Sequence, residues 1–74
     1  MKTTAIRAIR EHTSTIARYT ARKVTLLARL GRAQERQDDV ACDRIYSELN
    51  IIDEIITGLT TEIARICRRE GEPA

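Results

Sequence analysis

The sequence predicts an all-α fold: an antiparallel two-helix hairpin that pairs with a second copy as a homodimeric four-helix bundle. Three observations point there. Cys42, Ile45, Leu49, Ile52, Ile56, Leu59, Ile63 and Ile66 follow one another at alternating steps of three and four. This is a heptad seam with no polar interruption, the pattern of a long helix built to pack on other helices, as in a coiled coil. The helical pattern breaks once, at Gln37-Asp38-Asp39, and a short connection between two long helices makes them antiparallel neighbours. Ile51 and Ile55 lie beside the seam, with Tyr46 and Cys67, and widen the apolar face beyond what one partner helix covers.

The first helix is expected over about residues 4–36, with Thr3 or Thr4 as its cap. Its apolar face reads Ile6, Ile9, Ile16, Ala17, Val24, Leu27 and Leu30. Thr13 and Thr20 share that stripe and Lys23 interrupts it. Gly31 is a candidate helix end, but Arg32-Ala33-Gln34-Glu35-Arg36 is again good helix sequence, which moves the turn to about residues 37–39. Asp38 or Asp39 suits the N-cap of the second helix, and Asp43 suits its positive first turn. That helix is expected over about residues 40–69. Arg68 and Arg69 favour its C-terminus, and Gly71 and Pro73 are expected to stop it. Gly58 within it marks a close helix crossing, a bend or a tolerated weak spot.

Seventy-four residues make a single domain, 1–74, with a marginal core unless something adds to it. Cys42 and Cys67 on one helix stand about 37 Å apart at about 1.5 Å per residue, far outside disulfide reach. They read as two reduced, half-buried thiols, with a bridge between subunits as the sharper alternative. His12 is the one histidine and is distant from both cysteines, so neither a metal nor any other cofactor is expected. Oligomerisation remains as the source of extra burial. No apolar run approaches the length of a membrane span, and the start of the chain has no signal-peptide segment, so a cytoplasmic protein is expected. Leaving several isoleucines in water forfeits roughly 1.5–3 kcal/mol each, and a second copy is the economical cover. The competing use of Ile51 and Ile55 is as a docking face for a different protein.

The net charge of +2 hides an asymmetry. Residues 1–36 carry nine basic and two acidic side chains, giving +7, and residues 37–74 carry four basic and nine acidic ones, giving −5. Opposite signs on the two helices favour their mutual pairing. Arg18, Arg22, Arg29, Arg32 and Arg36 follow helical spacing opposite the expected apolar face and form the candidate partner-binding stripe. Arginine is the better bidentate ligand for carboxylate and phosphate. An acidic protein surface and a nucleic acid both fit such a stripe, and so does simple solvation. Phosphate contacts give affinity without sequence information, and base stacking would have only Tyr19 and Tyr46 to use.

Nothing in the chain reads as a catalytic apparatus. There is no Gly-rich phosphate loop, no metalloprotease pair and no nucleophile motif. Glu11-His12 and Asp53-Glu54 are adjacent pairs, and neighbours on a helix point apart. No catalytic residue is assigned.

The layout resembles the Rop-type helical hairpins, plasmid-encoded regulators that dimerise into four-helix bundles and bind an RNA pair. The likeness rests on Val24-Thr25-Leu26-Leu27-Ala28-Arg29-Leu30 and on the placement of Cys42 and Cys67 near the two ends of the second helix. The resemblance implies the bundle. It carries RNA binding to no residue, since the Rop surface uses a phenylalanine and this chain has none. The chain also looks like the small helical proteins that bacteriophages and other mobile elements encode to block host proteins. The expected function is therefore a non-enzymatic regulator or inhibitor that binds itself and a partner protein. The alternatives are an RNA- or DNA-binding bundle using the basic helix, and a purely structural assembly subunit.

Overall fold

The computed structural model describes residues 2–71 and contains two α-helices in antiparallel contact. Helix α1 spans Thr3–Glu35 and helix α2 spans Asp39–Gly71. Both ends of the connection are set by local chemistry. Gln37 takes a left-handed conformation (φ 56°), the N–H of Gln37 donates to the Gln34 carbonyl (3.0 Å), and that of Asp38 to the Ala33 carbonyl (2.9 Å). These two bonds form a Schellman cap, which satisfies the last carbonyls of α1. Asp38 then starts α2: its Oδ1 accepts the Ala41 N–H at 3.1 Å, and its carbonyl accepts the Cys42 N–H at 3.0 Å. This is the N-cap expected of an aspartate before a helix.

At the other end of α1 the expected cap is absent. Thr3 is already helical, and the extended N-cap residue is Lys2, whose side chain makes no capping bond. A lysine offers donors only, so it has nothing to give to the free N–H groups of a first turn. Gly71 is the last helical residue of α2 rather than a stop beyond it, and Pro73 lies outside the described residues. Gly58 is exposed, and a Cβ placed there would meet nothing within 4 Å, so no helix crosses closely at that point.

The seam of α2 packs on α1 along its length. Leu49, Ile52 and Ile66 are buried, and Cys42, Ile45, Ile55, Ile56, Leu59 and Ile63 are half-buried. Ile51 stays in water at 57% exposure. Cys67 is exposed rather than half-buried. The packed face of α1 agrees with expectation at Leu30, which is buried, and at Ile9 and Ile16, which are half-buried, and differs elsewhere. Ala5, Leu26, Leu30 and Ala33 are buried and Tyr19 leans on the core, whereas Ile6, Val24 and Leu27 are 38%, 63% and 49% exposed. The helix is thus rolled relative to its most apolar stripe. Two cross-helix ion pairs flank the packed face and hold this rotation: Arg22 to Glu48 (3.2 Å) and Lys23 to Asp53 (2.8 Å). Each is partly exposed and worth about 1 kcal/mol or less, but both act against the same roll.

The main core is a cluster of Leu26, Leu30, Leu49 and Ile52 near the turn, with Tyr19, Cys42, Ile45 and Ile56 against it. The molecule is a rod of 58 × 14 × 11 Å with a radius of gyration of 16.9 Å. A compact chain of this length would have a radius of about 11 Å. No helix among the described residues is long and apolar enough to cross a membrane.

The left-handed Gln37 carries a Cβ that this conformation disfavours. Gln37→Gly is expected to stabilise the hairpin by about 0.5–1 kcal/mol, read as a higher urea midpoint with an unchanged slope.

Candidate partner-binding groove

The turn sets the last turns of α1 beside the first turns of α2. Arg29, Arg32 and Arg36 stand at steps of three and four, so they leave α1 on one side. Arg44 faces them from α2, and the four arginines rim an open depression of about 510 Å³. Its remaining surface is largely apolar, from Ala33, Val40, Ala41 and Ile45, with Val40 63% exposed. Asp38 is the one carboxylate that lines it, and that carboxylate is engaged at the Ala41 N–H. Four cations against one anion leave the groove at +3.

Among the described residues three ion pairs form: Arg22–Glu48, Lys23–Asp53 and Arg65–Glu62. None involves Arg29, Arg32, Arg36 or Arg44. Guanidinium groups gathered within a Debye length reinforce one another's field, which concentrates anions at the groove. Their planar forks match carboxylate or phosphate oxygens in pairs.

The five arginines of the expected stripe therefore separate. Arg29, Arg32 and Arg36 come together at the turn. Arg22 is held by Glu48 at the edge of the helix contact and serves the fold. Arg18 donates to Thr15 Oγ1 on its own helix at 3.4 Å and borders a smaller depression with Tyr19 and Arg22. Because α1 is rolled, the stripe lies alongside the packed face rather than opposite it. Arg44 is the groove residue that the single-helix pattern missed. The signal was available: with a turn centred near residue 37, residue 44 of α2 comes level with residue 30 of α1.

Two apolar strips remain uncovered, one on each side of the rod. Ile6 and Val24 are 18 residues apart, five turns of helix, and so stand in line on α1 with Leu27 beside them. Gln34, one heptad after Leu27, donates to Tyr46 Oη at 3.4 Å, which places the exposed Tyr46 ring on this same side. On the groove side, Val40, Arg44, Ile51 and Ile55 follow one another along α2 at steps of four, seven and four. The groove thus runs on into an apolar ledge.

The chain matches no protein-family model, no curated protein and no solved structure. The reading of the groove rests on its chemistry.

Gathering like charges costs stability. Arg44→Glu gives the three α1 arginines a counter-charge and is expected to stabilise the protein by roughly 0.2–0.5 kcal/mol, measured by urea unfolding at fixed protein concentration.

Proposed function

We propose that this protein is a non-enzymatic regulator or inhibitor that works as a homodimeric four-helix bundle and blocks a partner protein by occupying an acidic surface on it. The observation that carries the reading is the groove: four arginines converge at the turn with no ion-pair partner among the described residues, while neighbouring Arg22 and Lys23 are paired within the hairpin. A cation placed only for solubility gains nothing from standing beside three others. Convergence of this kind favours a ligand that brings the counter-charge.

The bundle is supported by area. The hairpin exposes 5688 Å². A compact monomer of this mass would expose about 4,600 Å², so the excess is about 1,000 Å². One partner in a standard interface contributes about 800 Å². The strip of Ile6, Val24, Leu27 and Tyr46 is the face for this contact, because it can be covered without burying any groove arginine. The likeness to Rop-type hairpins supports the same assembly. Blocking, rather than conversion, fits the open form of the two depressions described above.

Nucleic acid is the second reading, favoured by the same unpaired arginines. Salt separates the two, since phosphate-dominated binding falls steeply as salt rises. Arg29→Glu with Arg32→Glu is expected to abolish capture of a protein partner from nuclease-treated host lysate, with the helical circular dichroism signal unchanged. A mobility shift of generic RNA or DNA at low salt, lost in the same variant, would transfer the groove to nucleic acid.

For the assembly, sedimentation equilibrium is expected to give twice the 8.4 kDa chain mass, and Leu27→Glu to shift it to monomer. A wild-type monomer at all concentrations would remove the bundle.

A further inference from the structure

We infer that the groove and its ledge receive an acidic amphipathic helix of the partner protein, laid along the hairpin as a third helix with its apolar stripe on α2 and its carboxylates toward α1. This rests on the protein-partner reading above and names the chemistry of that partner.

Charge and apolar surface are sorted laterally on one side of the rod. Arg29, Arg32 and Arg36 supply the α1 wall, and Arg18 extends it. The α2 wall carries Val40 and Ile51, 63% and 57% exposed, and half-buried Ile55, with Arg44 and the Arg22-paired Glu48 lying between Val40 and Ile51. From residue 36 back to residue 18 the arginine wall is about 27 Å long, which matches a helix of about 18 residues. A helix laid in the valley between two helices presents one stripe to each. Apolar residues at steps of three and four would cover Val40, Ile51 and Ile55, and carboxylates one side over would meet the guanidinium forks.

A nucleic acid meets only half of this surface. A phosphate backbone would satisfy the arginines and leave the isoleucines in water. Stacking would have only Tyr19 on this side, half-buried against the core beside Arg18 and Arg22, since Tyr46 lies on the opposite flank. A strand or a flexible acidic tail also fits the charge without matching the spacing of Val40, Ile51 and Ile55. Of the carboxylates nearest the groove, Asp38 is engaged at the Ala41 N–H and Glu48 at Arg22. The incoming segment therefore supplies the missing negative charge.

The test uses the full chain and three fluorescent probes read by anisotropy at about 0.15 M salt. One is a synthetic peptide of about 18 residues, with leucines at steps of three and four and glutamates on the adjoining side. The second is the same composition scrambled so that no helical stripe survives. The third is a single-stranded oligouridylate of equal charge. The striped peptide is expected to bind at least about tenfold tighter than the scramble. Ile51→Asp is expected to erase that difference while leaving the weak binding of the scramble, and Arg32→Glu to weaken both peptides. Both side chains are exposed, so the fold survives either change. Equal affinity for the two peptides would overturn the helix inference and leave the acidic-partner reading standing. Tighter binding of the oligouridylate, or no binding of any probe, would overturn both. Conversion of a wild-type dimer to monomer by Ile51→Asp would also overturn the inference, because a second copy would then be the occupant.

Discussion

Two helices share one internal seam, and every other feature of this hairpin depends on how that seam closes near the turn. Leu26 and Leu30 enter from α1, Leu49 and Ile52 from α2, and the Schellman cap and Asp38 N-cap hold the two pairs level. The contact is small. It has neighbours on one side only, so it cannot reach the closed packing of a larger domain. Its burial nevertheless decides the roll of α1. Seating Leu26 and Ala33 inward turns Val24 and Leu27 out, and it sets Arg29, Arg32 and Arg36 beside α2 rather than behind the rod. The groove is a by-product of a packing choice made by apolar residues.

That choice explains which parts of the molecule could be read from residues alone. The seam from Cys42 to Ile66 is legible because α2 has one dominant apolar stripe at unbroken heptad spacing. The connection is legible because Asp38 combines a favoured N-cap residue with the end of a helical pattern. The roll of α1 is not legible, since that helix has two apolar stripes of similar strength. Ile9, Ile16 and Leu30 of the more obvious stripe pack, but Ile6, Val24 and Leu27 turn out, and Tyr19, Leu26 and Ala33 pack in their place. The selection comes from α2, through the ion pairs at Glu48 and Asp53 and the fit of Leu26 against Leu49 and Ile52. Helix periodicity within α1 holds no record of either. The same holds for Arg44, whose role exists only once the antiparallel register is known.

The charge asymmetry between the halves of the chain is likewise divided by the structure into two uses. Arg22 and Lys23 meet acids of α2 and belong to the hairpin. The arginines nearest the turn meet none, because the first turns of α2 spend Asp38 on the backbone and present Val40 and Arg44 on the groove side. A run of basic residues that reads as one stripe therefore has a structural middle and an open end. The net charge of the whole chain, +2, conveys neither.

The uneven distribution of the core has a mechanical consequence. The buried leucines crowd the turn half, while toward the chain ends the buried apolar residues are Ala5 and Ile66. Around them Ile9, Ile16, Leu59 and Ile63 are half-buried, so opening the helix pair from the free ends exposes less apolar surface than opening the cluster at the turn. The arginine groove sits at the turn, beside the buried cluster. The side chains proposed to bind a partner are thus mounted beside the best-packed part of the rod.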